Sequence, residues 1–473
     1  MGLTIDVLKQ YPEVDERAVD AALKSEIAKN NKKIVVLDDD PTGVQTVHDI
    51  SVYTNWRLDT MKDAFSEDNA LFYVLTNSRG MTQDETTAAH HEIAAAVNAA
   101  SKATGKDYLY ISRSDSTLRG HYPLETMLLK AAYEKDTGRT VDGEVMCPFF
   151  KEGGRFTIDD VHYVQEGENL IPAAETEFAK DPTFGYHHSD IKAYIEEKTN
   201  GAFKAKDCVS ISLEDLRALN YDAIEAQLLS VQDFNKIVVN AIDYIDVKVF
   251  CVALYRAMAK GKNFMFRSAA ALVKVMGGVS DQPLLTRKDM VTQETDRGGL
   301  IVVGSHTQKT TAQVERLSQL PNLKMIEFDA TKVTDDKAFG NEIDRCLKEE
   351  EEAIASGTTV CIYTTRKLIK ADTGNKEDEL RLSVKISDAV QSLVGRLQVA
   401  PAFVIAKGGI TSSDIGTKAL AVTKANVLGQ IEPGIPVWQT GSDSRFPEMP
   451  YVIFPGNVGG ETTLKAAAEK LMK

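Results

Sequence analysis

Short apolar runs that stop abruptly at polar residues or glycine recur along the chain. The first is KKIVVLDDDPTG (32–43), and similar runs occupy 71–80, 107–115, 236–243, 299–306, 358–365, 402–409 and 451–457. Stretches with helical periodicity, such as 85–103 and 310–320, separate most of them. Strands that alternate with helices are typical of parallel α/β sheets, in which ligands bind beyond the carboxyl ends of the strands.

The length of the chain predicts more than one domain. Its 473 residues exceed a typical domain of roughly 100–200 residues. The segment 277–299 interrupts the alternation of strands and helices with glycine, proline and charged residues, as a linker does. We therefore predict an α/β protein with an N-terminal domain (1–275), a linker (276–297) and a C-terminal domain (298–473). Each domain is expected to be a mainly parallel sheet flanked by helices, with a cleft between the two.

Composition and charge narrow the class of protein. The net charge is −14, and 43% of the residues are hydrophobic, which indicates a globular chain poorly suited to nucleic acid or anionic membrane. No apolar run approaches the ~18 residues that span a bilayer, and the N-terminus lacks a signal-peptide core, so we expect a cytoplasmic protein. The five cysteines form no CxxC pair, which favours reduced thiols over zinc or disulfides.

Three polar loops in the first half of the chain are candidates for binding chemistry. LDDDPTG (37–43) places adjacent carboxylates after a strand, where they repel each other unless a cation, a ligand or solvent compensates. SRSDSTLRGHYPLE (112–125) and TNSRG (76–80) follow two other strands. Two guanidiniums beside small hydroxyls suit the capture of a carboxylate, and an aspartate suits sugar hydroxyls. Taken singly, each loop is equally compatible with a solvated turn or a structural salt bridge.

Three glycine-rich loops in the second half precede helices. They are GSHTQKTTAQ (304–313), AKGGITSSDIGTKAL (406–420) and FPGNVGG (454–460). Glycine allows backbone N–H groups to approach a phosphate, and a helix N-terminus adds partial positive charge. Each loop alone is also common as a plain turn, but three together favour an anion or nucleotide site. The chain has no GxxxxGK[ST], GxGxxG, HExxH or GxSxG motif.

Taken together, five motifs resemble the four-carbon acid sugar kinase family. They are DDPTG (39–43), SRSDSTLRG (112–120), VVGSHTQKTTAQ (302–313), KGGITSSD (407–414) and FPGNVGG (454–460). The resemblance spans residues 35 to 465 and implies an N-terminal sugar-acid domain, a C-terminal nucleotide domain, and ATP with Mg²⁺. The chain departs from the common family pattern at Asp38, where alanine is usual, and in FPGNVG, where a lysine-containing loop is usual. It also carries two extra segments, 148–157 and 175–186, which we expect near the pocket or its lid.

The resemblance also implies roles for particular residues. In the nucleotide domain it implies that Ser305 contacts ATP, that Gly408, Gly409, Ile410 and Thr411 cradle its phosphates, and that Gly456 closes over it. In the sugar-acid pocket it implies Asp39, Asp40, Arg113, Asp115 and Arg119, and the loops themselves add Ser78, Arg79 and Ser116. The metal ligands stay open.

These residues suggest a kinase mechanism as a hypothesis. Phosphoryl transfer depends mainly on positioning and charge neutralisation. Arg113 and Arg119 would hold the carboxylate of the acid while its C4 hydroxyl faces the γ-phosphate of ATP. A nearby aspartate would accept the hydroxyl proton, with Asp39 preferred over Asp40 and Asp115. The identity of the acid and its stereoisomer stay open, and so does the oligomeric state, although a homodimer is the commonest outcome for soluble enzymes.

Two alternatives from other classes remain. The pattern Asp38-x-Asp40-x-Thr42 after a strand matches the nucleophile motif of haloacid-dehalogenase-type phosphatases, but the late acidic pair of those enzymes is missing. A catalytically inactive sugar-acid sensor is the other alternative, and it leaves the nucleotide loops unexplained.

Overall fold

The protein is described by a computed structural model that covers residues 3–304, 307–366, 376–456 and 458–472. The strands up to residue 268 are β1 (Leu3–Thr4), β2 (Lys33–Asp38), β3 (Ile50–Tyr53), β4 (Leu71–Leu75), β5 (Tyr108–Arg113), β6 (Gly143–Cys147), β7 (Arg155–Ile158), β8 (Val161–Glu166), β9 (Asn169–Pro172), β10 (Val209–Ile211), β11 (Asn235–Val239) and β12 (Phe264–Ser268). The later strands are β13 (Leu300–Val303), β14 (Leu323–Phe328), β15 (Thr359–Thr364), β16 (Val404–Lys407), β17 (Lys424–Glu432), β18 (Ile435–Thr440) and β19 (Pro450–Phe454).

Helices connect most of these strands. They are α1 (Glu16–Ile27), α2 (Leu58–Ser66), α3 (Gln83–Thr104), α4 (Leu124–Thr137), α5 (Ile191–Lys198), α6 (Leu213–Arg217), α7 (Tyr221–Ser230), α8 (Tyr244–Ala259), α9 (Ala270–Met276), α10 (Arg287–Met290), α11 (Gln308–Leu317), α12 (Asp336–Ala355), α13 (Lys376–Gly395), α14 (Gly409–Asp414) and α15 (Thr463–Leu471). Contacts group the chain into unit 1 (Met1–Gly43 and Asn55–Asp281) and unit 2 (Val44–Thr54 and Gln282–Lys473).

Unit 1 is built on a parallel sheet with the strand order β10-β11-β6-β12-β5-β2-β4. Every residue of β2, β4, β5, β6 and β12 is buried. Continuous burial is expected of parallel strands that are covered on both faces, and it explains their unbroken apolar sequences. The carboxyl ends of β12, β5, β2 and β4 follow one another along one edge of this sheet.

A small antiparallel sheet with the order β1-β9-β8-β7 also belongs to unit 1. The turn between β7 and β8 consists of Asp159 and Asp160, which both have positive φ, as a two-residue hairpin requires. The extra segment 148–157 leads into this sheet, and the segment 175–186 follows it in the chain.

Unit 2 has a sheet with the order β3-β17-β18-β19-β16-β13-β15-β14. The five strands from β19 to β14 are parallel, while β3, β17 and β18 extend the sheet as antiparallel strands. The early segment 44–54 supplies β3, a placement that no pattern in the sequence predicts. Leu285 and Met290, which lie within the predicted linker 276–297, are buried in the core of this unit.

The predicted α/β class, with mainly parallel sheets flanked by helices, is confirmed. In the described part of the chain, every helix is too short or too polar to cross a membrane.

One buried carboxyl group in unit 2 allows a prediction of how stability depends on pH. Glu350 of α12 is fully buried and neither of its carboxylate oxygens has a hydrogen-bond partner. Burial raises the pKa of Glu350 well above its usual value, and Glu351 adds to the shift. The folded protein therefore keeps a proton that the unfolded chain releases above about pH 4.3, so the contribution of Glu350 to stability is greatest at low pH and declines as the pH rises.

We expect Glu350→Gln to raise the melting temperature, and to raise it more at pH 8 than at pH 5, because the neutral amide no longer requires a proton. Thermal unfolding at the two pH values measures this difference. Glu352→Gln, which removes an exposed charge from the same helix, is the matched control. An equal gain from Glu350→Gln at both pH values would contradict the prediction.

Candidate functional site

The three polar loops singled out in the sequence meet at the carboxyl edge of the unit 1 sheet. Arg79, in the turn after β4, connects them: its guanidinium lies 2.9 Å from Asp39, 3.3 Å from Asp40 and 3.7 Å from Asp115. The parallel order of β5, β2 and β4 brings these loops together, since each follows the carboxyl end of a neighbouring strand. We name this group of side chains the arginine–aspartate cluster.

The innermost pair of the cluster is Arg113 and Asp38. Their side chains are buried at the ends of adjacent strands, with Nη1 3.1 Å from Oδ1, and Arg113 also lies 3.8 Å from Asp39. Burial raises the pKa of Asp38 to about 7, although Arg113 opposes the shift. Arg113 is therefore paired with Asp38 and Asp39 in the buried part of the cluster.

Asp39 and Asp40 are adjacent in sequence but lie in different environments. Asp39 is 2% exposed, and its carboxylate accepts hydrogen bonds from Arg79 (2.9 Å) and from the Ser114 hydroxyl (2.7 Å). Burial raises the pKa of Asp39 despite its arginine neighbours. Asp40 is 17% exposed, and its Oδ1 accepts hydrogen bonds from the Thr42 amide (2.8 Å) and hydroxyl (2.5 Å). For Asp40, burial is outweighed by Arg79 and Thr42, so its pKa lies below the usual value.

Asp115 and Arg119 form the outer pair of the cluster. Arg119 Nε donates to Asp115 Oδ2 at 2.6 Å, and Thr117 donates to the same oxygen. Burial raises the pKa of Asp115, but Arg119 and Arg79 outweigh it and hold that pKa far below its usual value. About a fifth of the Arg119 side chain is exposed, so it lies at the surface of the cluster, whereas Ser116 is buried.

Two buried residues that the sequence analysis missed, Glu125 and Arg267, hold members of the cluster through hydrogen bonds. Glu125, at the start of α4, accepts a hydrogen bond from the Ser78 hydroxyl (2.5 Å) and pairs with Arg267 at 2.6 Å. Arg267 also donates to the carbonyl of Arg119 at 3.2 Å. The signal was present in FMFRS (264–268), where an apolar run ends in Arg-Ser, as β5 does with Arg113 and Ser114. Ser78 is fully buried, with its hydroxyl engaged by Glu125.

The loop after β5 is fixed through four consecutive carbonyl groups. His162 donates to Ser116 O (2.7 Å), Tyr186 to Thr117 O (2.8 Å) and Tyr194 to Leu118 O (2.8 Å), while the carbonyl of Arg119 is held by Arg267. Burial lowers the pKa of His162 to about 4, so it donates as a neutral imidazole. The small sheet and α5 therefore hold this loop in place.

Gly120 is required where this loop closes. Its φ is +121°, and a Cβ there would lie 2.7 Å from Arg267 Nη2 and 2.8 Å from Ser114 Oγ. We expect Gly120→Ala to cost about 1–3 kcal/mol of stability, because Ser114 and Arg267 must move. Thermal unfolding measures this effect. Gly138→Ala is the matched control, because Gly138 also has positive φ (+69°) but its Cβ would meet open space. Equal effects of the two substitutions would contradict the prediction.

The three glycine-rich loops meet at the carboxyl edge of the unit 2 sheet. They follow β13, β16 and β19, which are neighbours in that sheet. The amide of Gly408 donates to Phe454 O at 2.9 Å, Gly304 lies against the Thr411 hydroxyl, and Gln313 donates to Gly460 O at 2.9 Å. Gly304, the turn at the start of α14 and the 454–460 loop thus form one group, which we name the glycine edge.

The start of α14 has the geometry of an open anion cradle. Gly408 has φ +115° and ψ 144°, a conformation that only glycine adopts readily, and Gly409, Ile410 and Thr411 form the first helical turn. Ile410 is 73% exposed, unlike almost every other large apolar residue of the described chain. Gly456 follows β19 next to this turn, and Ser305 lies outside the described residues.

Lys407 is a buried cation at the end of β16, directly before the cradle. Its Nζ donates to the carbonyls of Pro455 (2.6 Å) and Gly456 (3.1 Å), and among the described residues no carboxylate lies within 4.0 Å of it. Burial lowers the pKa of Lys407 to about 7, and Lys309 contributes to the shift. A buried ammonium group beside the first turn of a helix suits an anionic ligand. The described residues contain no group of three His, Cys, Asp or Glu side chains arranged to hold a metal.

Comparison with known proteins matches both parts of the chain. Residues 34–276 match the family model of a sugar-binding N-terminal domain, and residues 300–464 match that of a nucleotide-binding C-terminal domain. No curated protein matches the chain.

Two solved structures resemble the whole chain. A Haemophilus influenzae protein of family DUF1537 aligns over 93% of this chain and 100% of its own, with 17% identity and a TM-score of 0.59. A Salmonella typhimurium LT2 protein named as a candidate tRNA synthase aligns over 94% and 100%, with 16% identity and a TM-score of 0.66. At these identities the likeness shows the fold alone. The two domain matches, one in each half of the chain, show that the chain belongs to the four-carbon acid sugar kinase family.

Proposed function

We propose that the protein is an ATP-dependent kinase that phosphorylates a hydroxyl, at C4, of a four-carbon sugar acid such as threonate, erythronate or 3-oxo-tetronate. The observation that carries the proposal is the pairing of two sites within one chain. The arginine–aspartate cluster lies in the part that matches a sugar-binding domain, and the glycine edge lies in the part that matches a nucleotide-binding domain.

The sugar acid is bound by the outer members of the cluster. The side chains of Arg79 and Arg119 are each about one fifth exposed, whereas that of Arg113 is buried against Asp38. Guanidinium groups bind carboxylates through paired hydrogen bonds, so Arg79 and Arg119 are better placed for the substrate than Arg113. Asp40 and Asp115 supply oxygens for the hydroxyl groups. Arg113 and Ser78 have supporting roles in this proposal.

Asp40 is the proposed acceptor of the hydroxyl proton. The burial of Asp39 and its bonds to Arg79 and Ser114 make it a residue that positions Arg79. Asp40 is more exposed than Asp39, and its Oδ2 lies 3.3 Å from Arg79, a longer contact than the 2.9 Å between Arg79 and Asp39. In a largely dissociative transfer the base acts late and mainly orients the hydroxyl, so the lowered pKa of Asp40 is compatible with this role.

The nucleotide is bound by the glycine edge. The backbone amides of Gly409 and Thr411 suit the phosphates, and Gly408, whose own amide is bonded to Phe454 O, supplies the turn before them. Gly456 lies beside this turn, and Ile410 offers an exposed apolar surface. The contact of Ser305 with ATP stays a prediction from the resemblance. Lys407 lies close enough to contribute positive charge. Mg²⁺ in such enzymes binds largely through phosphates and water with one or two carboxylates. The lack of a three-carboxylate group in the described residues is therefore compatible with an ion that arrives with ATP.

The two alternatives are weaker. A haloacid-dehalogenase-type phosphatase would use Asp38 as an exposed nucleophile, but Asp38 is buried, paired with Arg113 and packed against the backbone of Gly43. An inactive sensor of sugar acids would not need a nucleotide site, so it does not explain why the buried Lys407 lies beside the glycine-rich turn of α14.

A coupled assay of ADP release tests the proposal. The protein is incubated with ATP and Mg²⁺ and with each stereoisomer of threonate, erythronate and 3-oxo-tetronate, and the phosphorylated product is identified by mass spectrometry. We expect ADP and a sugar-acid phosphate to form in equal amounts with at least one acid. Formation of no phosphorylated product, or release of phosphate from sugar-acid phosphates without ATP, would overturn the proposal. Calorimetric titrations with ATP and Mg²⁺ and with each acid then separate the remaining cases: a sensor binds an acid but no nucleotide, and an inactive preparation binds neither.

A further inference from the structure

The two extra segments, 148–157 and 175–186, converge on Arg119 of the arginine–aspartate cluster. The second segment supplies Phe178, whose ring centre lies 5.0 Å from the guanidinium of Arg119, and Asp181, which lies 3.8 Å from it. The first segment supplies Arg155, whose guanidinium lies 5.6 Å from the same ring. The ring of Phe178 therefore contacts one arginine of the cluster and one arginine of an extra segment.

Arg155 differs from the other arginines of this region in its charge environment. Arg79, Arg113, Arg119 and Arg267 each have a carboxylate within 4.0 Å. In the described part of the chain, Arg155 has none, its Nε is buried without a hydrogen-bond partner, and it donates to the carbonyl of Gly153. Burial lowers the pKa of Arg155, and the nearby charge of Arg119 contributes to the shift although Asp115 opposes it. An anion at this point would relieve the repulsion between the two guanidiniums.

The segments are anchored firmly enough to fix these side chains. Phe178 packs against the buried core that contains Tyr186 and Tyr194, the same tyrosines that hold the carbonyls of Thr117 and Leu118. The packing that positions the loop of Arg119 thus also positions the ring beside it. A guanidinium without a carboxylate partner, near a second and partly exposed guanidinium, is suited to binding a carboxylate.

We propose that the carboxylate of the sugar acid binds between Arg155 and Arg119, beside the ring of Phe178, so that the two extra segments determine which acid the enzyme accepts. The inference rests on the proposed function and deepens it by naming the carboxylate-binding end of the substrate site. Arg155 is then a substrate-binding residue that the family motifs do not include. The hydroxyl to be phosphorylated lies at the other end of the acid, near Asp40.

The test compares an acid with its neutral counterpart in the full-length protein. Arg155→Gln is expected to raise both the Kd and the KM for the preferred acid by about 10- to 100-fold, the usual loss for one charge-assisted pair. The KM for ATP is expected to change less than twofold. Threitol or erythritol carries the hydroxyls without the carboxylate, so its weak turnover is expected to be equal in wild type and variant.

Two further variants keep the result interpretable. Arg155→Lys retains the charge and is expected to recover part of the affinity, which separates recognition from folding. Arg57→Gln, at an exposed arginine without an ion pair among the described residues, removes one charge elsewhere and is the matched control. Thermal unfolding verifies that each variant is folded. If Arg155→Gln does not fold, Phe178→Leu tests the same end of the site, and it is expected to weaken acid binding without changing the KM for ATP.

The outcomes separate this inference from the proposed function. An unchanged Kd and KM for the acid in folded Arg155→Gln, in an enzyme that phosphorylates that acid, would overturn the inference alone. A wild-type protein that binds an acid without phosphorylating it, and that binds it more weakly after Arg155→Gln, would overturn the kinase proposal and support the inference. A wild-type protein that neither binds nor phosphorylates any of the acids would overturn both.

Discussion

Asp40→Asn is expected to lower kcat for sugar-acid phosphorylation by about 10²- to 10⁴-fold, the range of a positioned proton acceptor. The amide keeps the shape of the side chain and can still contact Thr42, but it cannot accept the proton of the substrate hydroxyl. ATP binding is expected to be unchanged, because the glycine edge lies in the other unit. Steady-state kinetics together with calorimetric titration of ATP measure the two quantities.

Asp39→Asn is the comparison that identifies the acceptor. Asp39 is buried between Arg79, Arg113 and Ser114, so its substitution leaves cationic groups without compensation and is expected to lower thermal stability and raise the KM for the acid. If Asp39→Asn instead removes turnover with an intact melting temperature, while Asp40→Asn keeps wild-type kcat, the assignment of Asp40 is wrong and Asp39 is the acceptor.

Lys407→Met is expected to weaken ATP binding by about tenfold or more, because it removes a buried cation and leaves two carbonyls of the 455–456 turn without a donor. The Kd for the sugar acid is expected to stay the same. Isothermal titration of each ligand separately measures the effect. Lys348→Met, at an exposed lysine of α12, is the charge-matched control and is expected to leave both affinities unchanged.

The pH dependence of ATP binding gives an independent check on Lys407. Its pKa is lowered to about 7, so in the free protein the ammonium group is charged at pH 6 and mostly neutral at pH 8. Affinity for ATP, taken relative to Lys407→Met at each pH so that the titration of ATP itself cancels, is expected to fall as the pH rises over this interval. A ratio that stays constant from pH 6 to pH 8 would show that Lys407 does not contribute its charge to the phosphates.

The strands that the sequence predicts correctly share one property. β2, β4, β5, β11, β13, β15, β16 and β19 each pair in parallel with at least one neighbour and are almost entirely buried, so their sequences are continuous apolar runs. The hairpin of β17 and β18 has a different signature: β17 alternates between buried and more exposed positions, so it does not form a continuous apolar run. β3 could not be predicted from its own four residues, since its partner β17 lies more than three hundred positions later.

The sequence predicts which residues form the candidate site better than it predicts how they are arranged. Asp39 and Arg79 follow strands and Arg113 ends one, and parallel topology is enough to place all three at one edge of the sheet. Which arginine is buried depends on its neighbours in the sheet: Arg113 ends a strand beside Asp38 and pairs with it, whereas Arg79 lies in the turn beyond its strand. The approach of Arg155 to the same region depends on the packing of the extra segments, which no local pattern reveals.

The membership of β3 in unit 2 has a practical consequence for dissecting the protein. The polypeptide enters unit 2 after Gly43, returns to unit 1 at Asn55 and enters again at Gln282. A fragment that starts at residue 282 therefore lacks one strand of its own sheet and leaves that side of β17 without its hydrogen-bonding partner. Expression of the nucleotide-binding half as an autonomous fragment would need the 44–54 peptide supplied in trans or grafted by circular permutation.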